Sequence, residues 1–252
     1  MKYDIELCMK VSEKQWIESL RNGTVCFNPI DVFIEKAEKN GNNEQGDRYE
    51  GIFARLQTND RRIGELKIRF GDDLEIIPEN NNYVLLRRKS SRKIPIFCMY
   101  GVRRDELELQ EDSVHKENGK YIDTVVYNFP TRIYNGFLDS SDVWGFYASS
   151  GHFCAALEKA LGDNNLTYGK AVINYDIELN KEFYFEPTEN YSELIHKRKE
   201  LEYQHEIRYI LPFSPRDEKY LLKYAPLAEN SCGIAPGALK LEMRCICKPL
   251  ED

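Results

Sequence analysis

Hydrophobic and polar residues alternate at every second position through "YDIELCMKV", shift to helical spacing through "SEKQWIESLRNG", and alternate again in "TVCFNP". This predicts a strand, helix, strand opening, with Ser12 as N-cap, Gln15 three residues on, and Gly23 as the stop. A second helical stretch, "IDVFIEKAEKN", runs into the polar loop "GNNEQGDRYEG", whose glycines and asparagines break any period. From Gly64 to Gly101 the pattern predicts a meander of strands, "GELKIRF", "LEIIP", "YVLLRRK" and "KIPIFCMYGV", separated by turn-forming residues. "DTVVYNF", "GKAVINYDIEL" and "KEFYFEP" also read as strands, and "SSDVWGFYASSGHFCAALEKALG" as helical in its second half. "NYSELIHKRKELEYQHE" is expected to start helical, with Glu193 four residues before Lys197. It should then pass into a strand over "LEYQHEIRYILPF", and the tail "GALKLEMRCIC" ends in one more. The fold class expected is α+β, with a mixed, mainly antiparallel sheet and few helices.

The strand predicted over Leu201 to Phe213 raises the question of function. Its period puts Glu202, Gln204, Glu206 and Arg208 on one face, either a solvated surface or the wall of a site. The latter requires "GDRYEG" and "GFYASS" to fold over it.

Composition narrows the classes. No break in composition divides the 252 residues, so residues 1–252 are expected to form a single domain. With 31% charged and 42% hydrophobic residues, and no apolar run long enough to span a bilayer, the expectation is a cytoplasmic protein with no membrane association. Acidic residues in "MKYDIELCMKVSE" also argue against an export signal. The net charge of −7 disfavours a protein devoted to nucleic-acid backbone. A basic turn, "RRKSSRK" from Arg87 to Lys93, leaves room for a local phosphate contact or for an ordinary solvated turn. Seven cysteines in mostly apolar contexts fit buried reduced thiols, and no metal site is expected from their spacing.

Phosphate-loop, dinucleotide, His-Glu-x-x-His and Gly-x-Ser-x-Gly fingerprints are missing. His152 in "SSGHF" reads as a helix-start or packing residue. Tyr147, beside Trp144 and Phe146, reads as core, or as an aromatic able to stack on a ring. Asp47 and Glu50 could turn the loop backbone, or bind a cation or substrate hydroxyls.

In order along the chain, "VWGFYASSGHFCAALE", "AVINYD" and "KRKELEYQHEIRYIL" resemble a family of bacterial and phage proteins of unknown function. That family shows a Met/Trp-x-x-Tyr-Ala helix start, a Val-x-Tyr strand and a Lys-then-Glu-x-Glu-x-Arg strand. The chain departs from it at Gln204, where a Glu is usual, and at Gly46 to Glu50, where an Asn-Asp-Pro motif is usual. A fainter similarity is to mono-ADP-ribosyltransferase-like folds, carried by Lys10 on the first strand, a central Tyr147 and a late Gln204-x-Glu206. That resemblance implies NAD as substrate, with Glu206 as the carboxylate stabilising an oxocarbenium-like state, Gln204 orienting the acceptor and Tyr147 stacking on nicotinamide. Lys10, Tyr147, Asp47 and Glu50 are the implied cofactor-binding residues. The expected role is phage defence or counterdefence, acting on an unknown protein or nucleic-acid acceptor. The alternatives are a non-catalytic protein- or nucleotide-binding module of the same fold, or a metal-dependent toxin acting on nucleic acid.

Overall fold

The computed structural model describes residues 5–40, 46–106, 108–117, 120–128, 143–228, 232–236 and 240–247. In chain order the first half contains β1 (Ile5–Glu13), α1 (Lys14–Arg21), β2 (Thr24–Pro29), α2 (Ile30–Asn40), β3 (Ile52–Gln57), α3 (Arg62–Phe70), β4 (Leu74–Pro78), β5 (Tyr83–Arg88), β6 (Pro95–Arg103), β7 (Glu108–Glu117) and β8 (Lys120–Asn128). The second half contains β9 (Val143–Ser149), α4 (Ser150–Asp163), β10 (Gly169–Val172), β11 (Asn174–Ile177), β12 (Phe183–Tyr184), β13 (His196–Arg198), β14 (Glu206–Ile210), β15 (Tyr220–Lys223), β16 (Cys232–Pro236) and β17 (Lys240–Cys247). Short 3-10 turns fill several connections.

The fold is α+β. Its main sheet has eight strands: β10-β14-β6-β1-β9-β16 run side by side, while β2 also pairs with β6 and carries β15 on its other edge. A four-stranded sheet, β12-β3-β5-β4, and a three-stranded one, β17-β8-β7, are likewise antiparallel. The short pair β11–β13 is parallel. One face of the main sheet is covered by α1 and α4, through Ile17 and Leu20 and through Phe153, Leu157 and Leu161, all buried against Phe97, Met99 and Phe146. Those spacings match the helical period that the sequence displays. On α2, Ile30, Ile34 and Ala37 recur at the same spacing and are buried.

The feature that shapes the molecule is a fork in this sheet. One edge of β6 is shared by two strands in succession: β2 is registered with it through Asn28↔Ile96 and Pro29↔Pro95, and β1 through Met9↔Tyr100 and onward to Ile5↔Arg103. Beyond Met9, β1 turns away with β9, to which it stays paired as far as Glu13↔Val143. Before Asn28, β2 turns away with β15. Helix α1 bridges the two arms, so a gap opens beside Phe97 and Cys98. The Cys98 carbonyl lacks a ladder partner there and instead accepts a hydrogen bond from Lys10 Nζ at 2.7 Å. Gly23 ends α1 in a left-handed turn at φ +84°, with the Tyr224 carbonyl 2.3 Å from where a Cβ would stand.

Four local expectations are corrected. "GELKIRF" is not a strand but most of α3, because Ile63, Leu66 and Phe70 face the second core at helical spacing while Ile68 is 88% exposed. Its start is fixed by Asp60, whose Oδ1 accepts the Arg62 backbone N–H at 2.8 Å. Ser12 does not cap α1: the position before the helix is Glu13, with no side-chain cap, and Gln15 Nε2 donates to Glu13 Oε2 at 2.8 Å. Glu193 does not start a helix aimed at Lys197; it sits in a 3-10 turn and receives Arg88 Nε at 2.7 Å. The strand expected over residues 201–213 is only its middle, Glu206–Ile210, because residues Lys199–Gln204 form a 3-10 turn and His205 takes a left-handed conformation at φ 41°.

Among the described residues, no helix is long and apolar enough to cross a membrane.

Candidate functional site

Strand β14 places Glu206 and Arg208 on the face opposite α1 and α4, and that face is not solvated: Glu206 is 5% exposed and Arg208 0%. Two carboxylates and two cations meet there. Lys197, from β13, donates to Glu206 Oε2 at 2.6 Å and to Gln204 Oε1 at 3.1 Å. Arg208 Nε donates to Glu206 Oε1 at 2.7 Å, and its two terminal nitrogens grip Glu50 at 2.9 Å each. Lys197 also approaches Glu50 Oε1 at 3.3 Å. Of the two segments required to fold over this face, "GDRYEG" does so, whereas "GFYASS" does not: it lies in β9 and the first residue of α4, three strands from β14 in the same sheet. Gly46 presses on α2 so closely that a Cβ would stand 2.3 Å from the Phe33 carbonyl, and the following turn delivers Asp47 and Glu50. Asp47 Oδ1 accepts the Tyr49 backbone N–H at 3.0 Å and Arg198 Nε at 3.1 Å. The Glu206 backbone N–H donates to Tyr175 Oη at 2.8 Å, fixing the start of the strand.

Electrostatics follow from this packing. Burial opposes ionisation of Glu206, but the charges of Arg208 and Lys197 outweigh it and hold the carboxyl well below the usual range. Burial likewise opposes the charge on Lys197 and Arg208, and Glu206 and Glu50 overcome it, raising both. Asp47 goes the other way: burial and then the Glu50 charge raise it, against the pull of Arg198. Burial, then Glu206, pushes the Cys98 thiol up to about 12, so Cys98 stays protonated near that carboxylate.

The fork opens into a cavity of about 500 Å³, and Glu206, Glu50, Lys197 and Gln204 form part of its wall. The rest includes Lys10 and Glu13 of β1, Trp16 of α1, Lys36 of α2, Tyr100 of β6, and Lys219, together with apolar side chains such as Ile17, Leu20, Phe97 and Met99. Lys197 and Arg208 balance Glu50 and Glu206, which leaves Lys10, Lys36 and Lys219 against Glu13 on the remaining wall. A protein that is acidic as a whole therefore presents a basic cavity. Lys10 is enclosed there, and its pKa is lowered, first by burial and also by the neighbouring Lys36 and Lys197 charges. Lys219 lies over the Trp16 ring, 4.5 Å from its centre.

Of the residues singled out in the sequence, Glu206, Gln204, Lys10 and Glu50 line this cavity, and Asp47 braces it from behind. Tyr147 does not join them. Glu206, Tyr100, Met9 and Tyr147 are successive register partners across β14, β6, β1 and β9, so Tyr147 shares the face and the row but stands three strand spacings away, about 14 Å. It packs with Met9 and Val102. The tyrosines next to Glu206 are Tyr100, its register partner on β6, and Tyr175, which accepts its backbone N–H. The alternation of "PIFCMYGV" puts Cys98 and Tyr100 on one face, but nothing in it says that Glu206 lies across from them. Lys36, Trp16 and Lys219 carried no signal in the sequence, since the fork that gathers them is a property of the sheet. His152 is exposed on α4. Much of the basic turn is taken up by ion pairs within the chain: Arg87 meets Glu75, Arg88 meets Glu193, Arg92 meets Asp31 and Glu75, and Lys93 meets Asp217 at the surface. Among the described residues, no cluster of His, Cys, Asp and Glu has metal-binding geometry.

Comparison with family models, with curated proteins and with solved structures finds no match to this chain.

Proposed function

We propose that the fork cavity binds a nicotinamide dinucleotide and that Glu206 stabilises the positive charge developing on its ribose as the nicotinamide bond breaks. The observation that carries this reading is a carboxylate held ionised on the wall of a ligand-sized cavity where lysines outnumber the other carboxylates, Glu13 and Glu50. Phosphates would be met by Lys10, Lys36 and Lys219, and Tyr100 and Trp16 offer aromatic faces to a ring. The bonding electrons leave with nicotinamide, and an acceptor, water or a group on a protein or nucleic acid, adds to the ribose carbon and loses its proton. In the setting implied by the sequence resemblance, this is an ADP-ribosyltransferase-like, NAD-processing core in phage defence or counterdefence.

A second reading is favoured by one observation: both oxygens of Glu206 already accept hydrogen bonds, from Lys197 and from Arg208. Here the carboxylate is structural and the cavity binds a nucleotide without cleaving it.

The two readings are separated by incubating wild type and Glu206→Asp with NAD and measuring nicotinamide release, with melting of both proteins alongside. Aspartate keeps the charge that Lys197 and Arg208 need but withdraws the carboxylate by one methylene. Release by wild type, lost in the variant at similar melting temperature, is the result expected of catalysis. Saturable NAD binding with no release by either supports the binding module, and no binding overturns both.

A further inference from the structure

The fork leaves one lysine in an unusual setting. Met9 is the last residue of β1 registered with β6, and Lys10 follows it where the two strands part. On that side β1 then has no neighbour in the sheet, and the Lys10 side chain reaches into the gap, on the wall of the cavity. Lys197, on the same wall, is gripped by Glu206 at 2.6 Å and by Glu50 at 3.3 Å. Lys10 has no carboxylate partner among the described residues: the acceptor of its Nζ is the Cys98 carbonyl, at 2.7 Å. The centre of the Phe97 ring is 5.6 Å from Nζ, at the outer limit of a cation–π contact. A neutral carbonyl does little to offset the cost of enclosing an ammonium, and Lys36 and Lys197 add like charge to the same cavity. It also leaves the lone pair of the neutral amine free, whereas a carboxylate would keep a proton there. Lys36 and Lys219 line the cavity without a carboxylate partner among the described residues, Lys219 lying over Trp16.

We propose that Lys10 is a nucleophilic amine that forms an imine with an aldehyde or ketone carrying a phosphate or carboxylate, the anion being held by Lys36 and Lys219. In the first step the nitrogen lone pair forms the C–N bond, the carbonyl π electrons pass to oxygen, and that oxygen takes up a proton lost by the nitrogen. In the second the hydroxyl leaves as water with the remaining nitrogen proton, and the C=N bond closes. The carbonyl compound is the one reactant consumed, and one water is released. The titration of the amine agrees with this role: burial lowers the Lys10 pKa, Cys98 and Glu206 oppose that, and Lys36 and Lys197 add to it. Lys10 is half-buried, and a cavity of about 500 Å³ admits a small ligand beside it. This chemistry goes beyond the dinucleotide reading and does not depend on it.

The test adds pyridoxal phosphate, a phosphate-bearing aldehyde, to the full chain without NAD, traps the imine with borohydride and locates it by mass spectrometry. Exposed Lys67 on α3 is the internal reference. Lys10 should be modified about tenfold faster than Lys67 at neutral pH. Pyridoxal, which lacks the phosphate, should react with Lys10 about tenfold more slowly. Lys36→Glu, at an exposed position, should slow the phosphate ester and leave pyridoxal unchanged. Lys10→Arg keeps a cation and a donor for the Cys98 carbonyl but forms no imine, and it should abolish the fast-labelled site at a similar melting temperature. Because that substitution can impair folding by itself, the rates in wild type are decisive without it. Lys10 reacting no faster than Lys67, equal Lys10 rates with the two aldehydes, or a fast-labelled site that persists in folded Lys10→Arg would each overturn the proposal.

Discussion

Glu206 shows how a single residue ties stability to the site. Its charge is surrounded by Lys197 and Arg208 in a region with almost no exposure to water, so neutralising it strands buried positive charge. Breaking a buried pair in this way costs about 3–5 kcal/mol, and Glu206→Gln is expected to lower the unfolding free energy by about that much in urea denaturation. A cost near zero would mean that the network contributes nothing. Loss of activity in that variant would therefore report folding as well as chemistry, and Glu206→Asp is the more informative change. The same residue sets an acid limit. Its folded pKa lies below its unfolded value, so its stabilisation is fully present above the ordinary carboxylate value of about 4.3 and is lost as pH falls from there toward the folded value. Asp47, whose folded value is raised, takes up a proton earlier and offsets the upper part of that loss. In melting curves recorded against pH, wild type should lose stability more steeply than Glu206→Gln below about pH 4. Parallel curves would contradict the assignment.

At the scale of elements, α3 gives the sharpest test. Gly64 lies inside this helix with open space around a hypothetical Cβ, so Gly64→Ala should stabilise the protein by about 0.5–1 kcal/mol in chemical denaturation. Destabilisation would contradict a helix there. The misreading of this segment as a strand has a physical origin. Leu66, Ile68 and Phe70 alternate with charged residues and satisfy a period of two as well as Ile63, Leu66 and Phe70 satisfy a helix, and only packing decides. Helices α1, α2 and α4 were legible because their apolar residues fit one period alone. The segment before β14 was not, because the turn that breaks it depends on His205 in a left-handed conformation, which histidine does not advertise. Gln204 still reached Glu206's neighbourhood, but through the turn and Lys197 rather than through strand alternation. Tyr147 was expected in a segment folded over Glu206 but lies on β9 in the same sheet, three strands away, since local pattern does not say how many strands intervene.

The whole molecule combines an acidic chain with a basic cavity at the fork of its main sheet, and neither β1, β2 nor β6 reveals that fork alone. The charge contrast predicts that anionic ligands are drawn to this one place and that added salt weakens them. Lys36 is the residue on which to test it, being exposed on α2 at the cavity wall and outside the buried ion network, so that reversing its charge leaves the fold alone. The most direct measurement is a calorimetric titration of NAD into wild type and Lys36→Glu. The account predicts saturable binding to wild type that weakens by about tenfold in the variant. Absence of binding to wild type, or equal affinity in the two proteins, would contradict the assignment of this cavity as a nucleotide site.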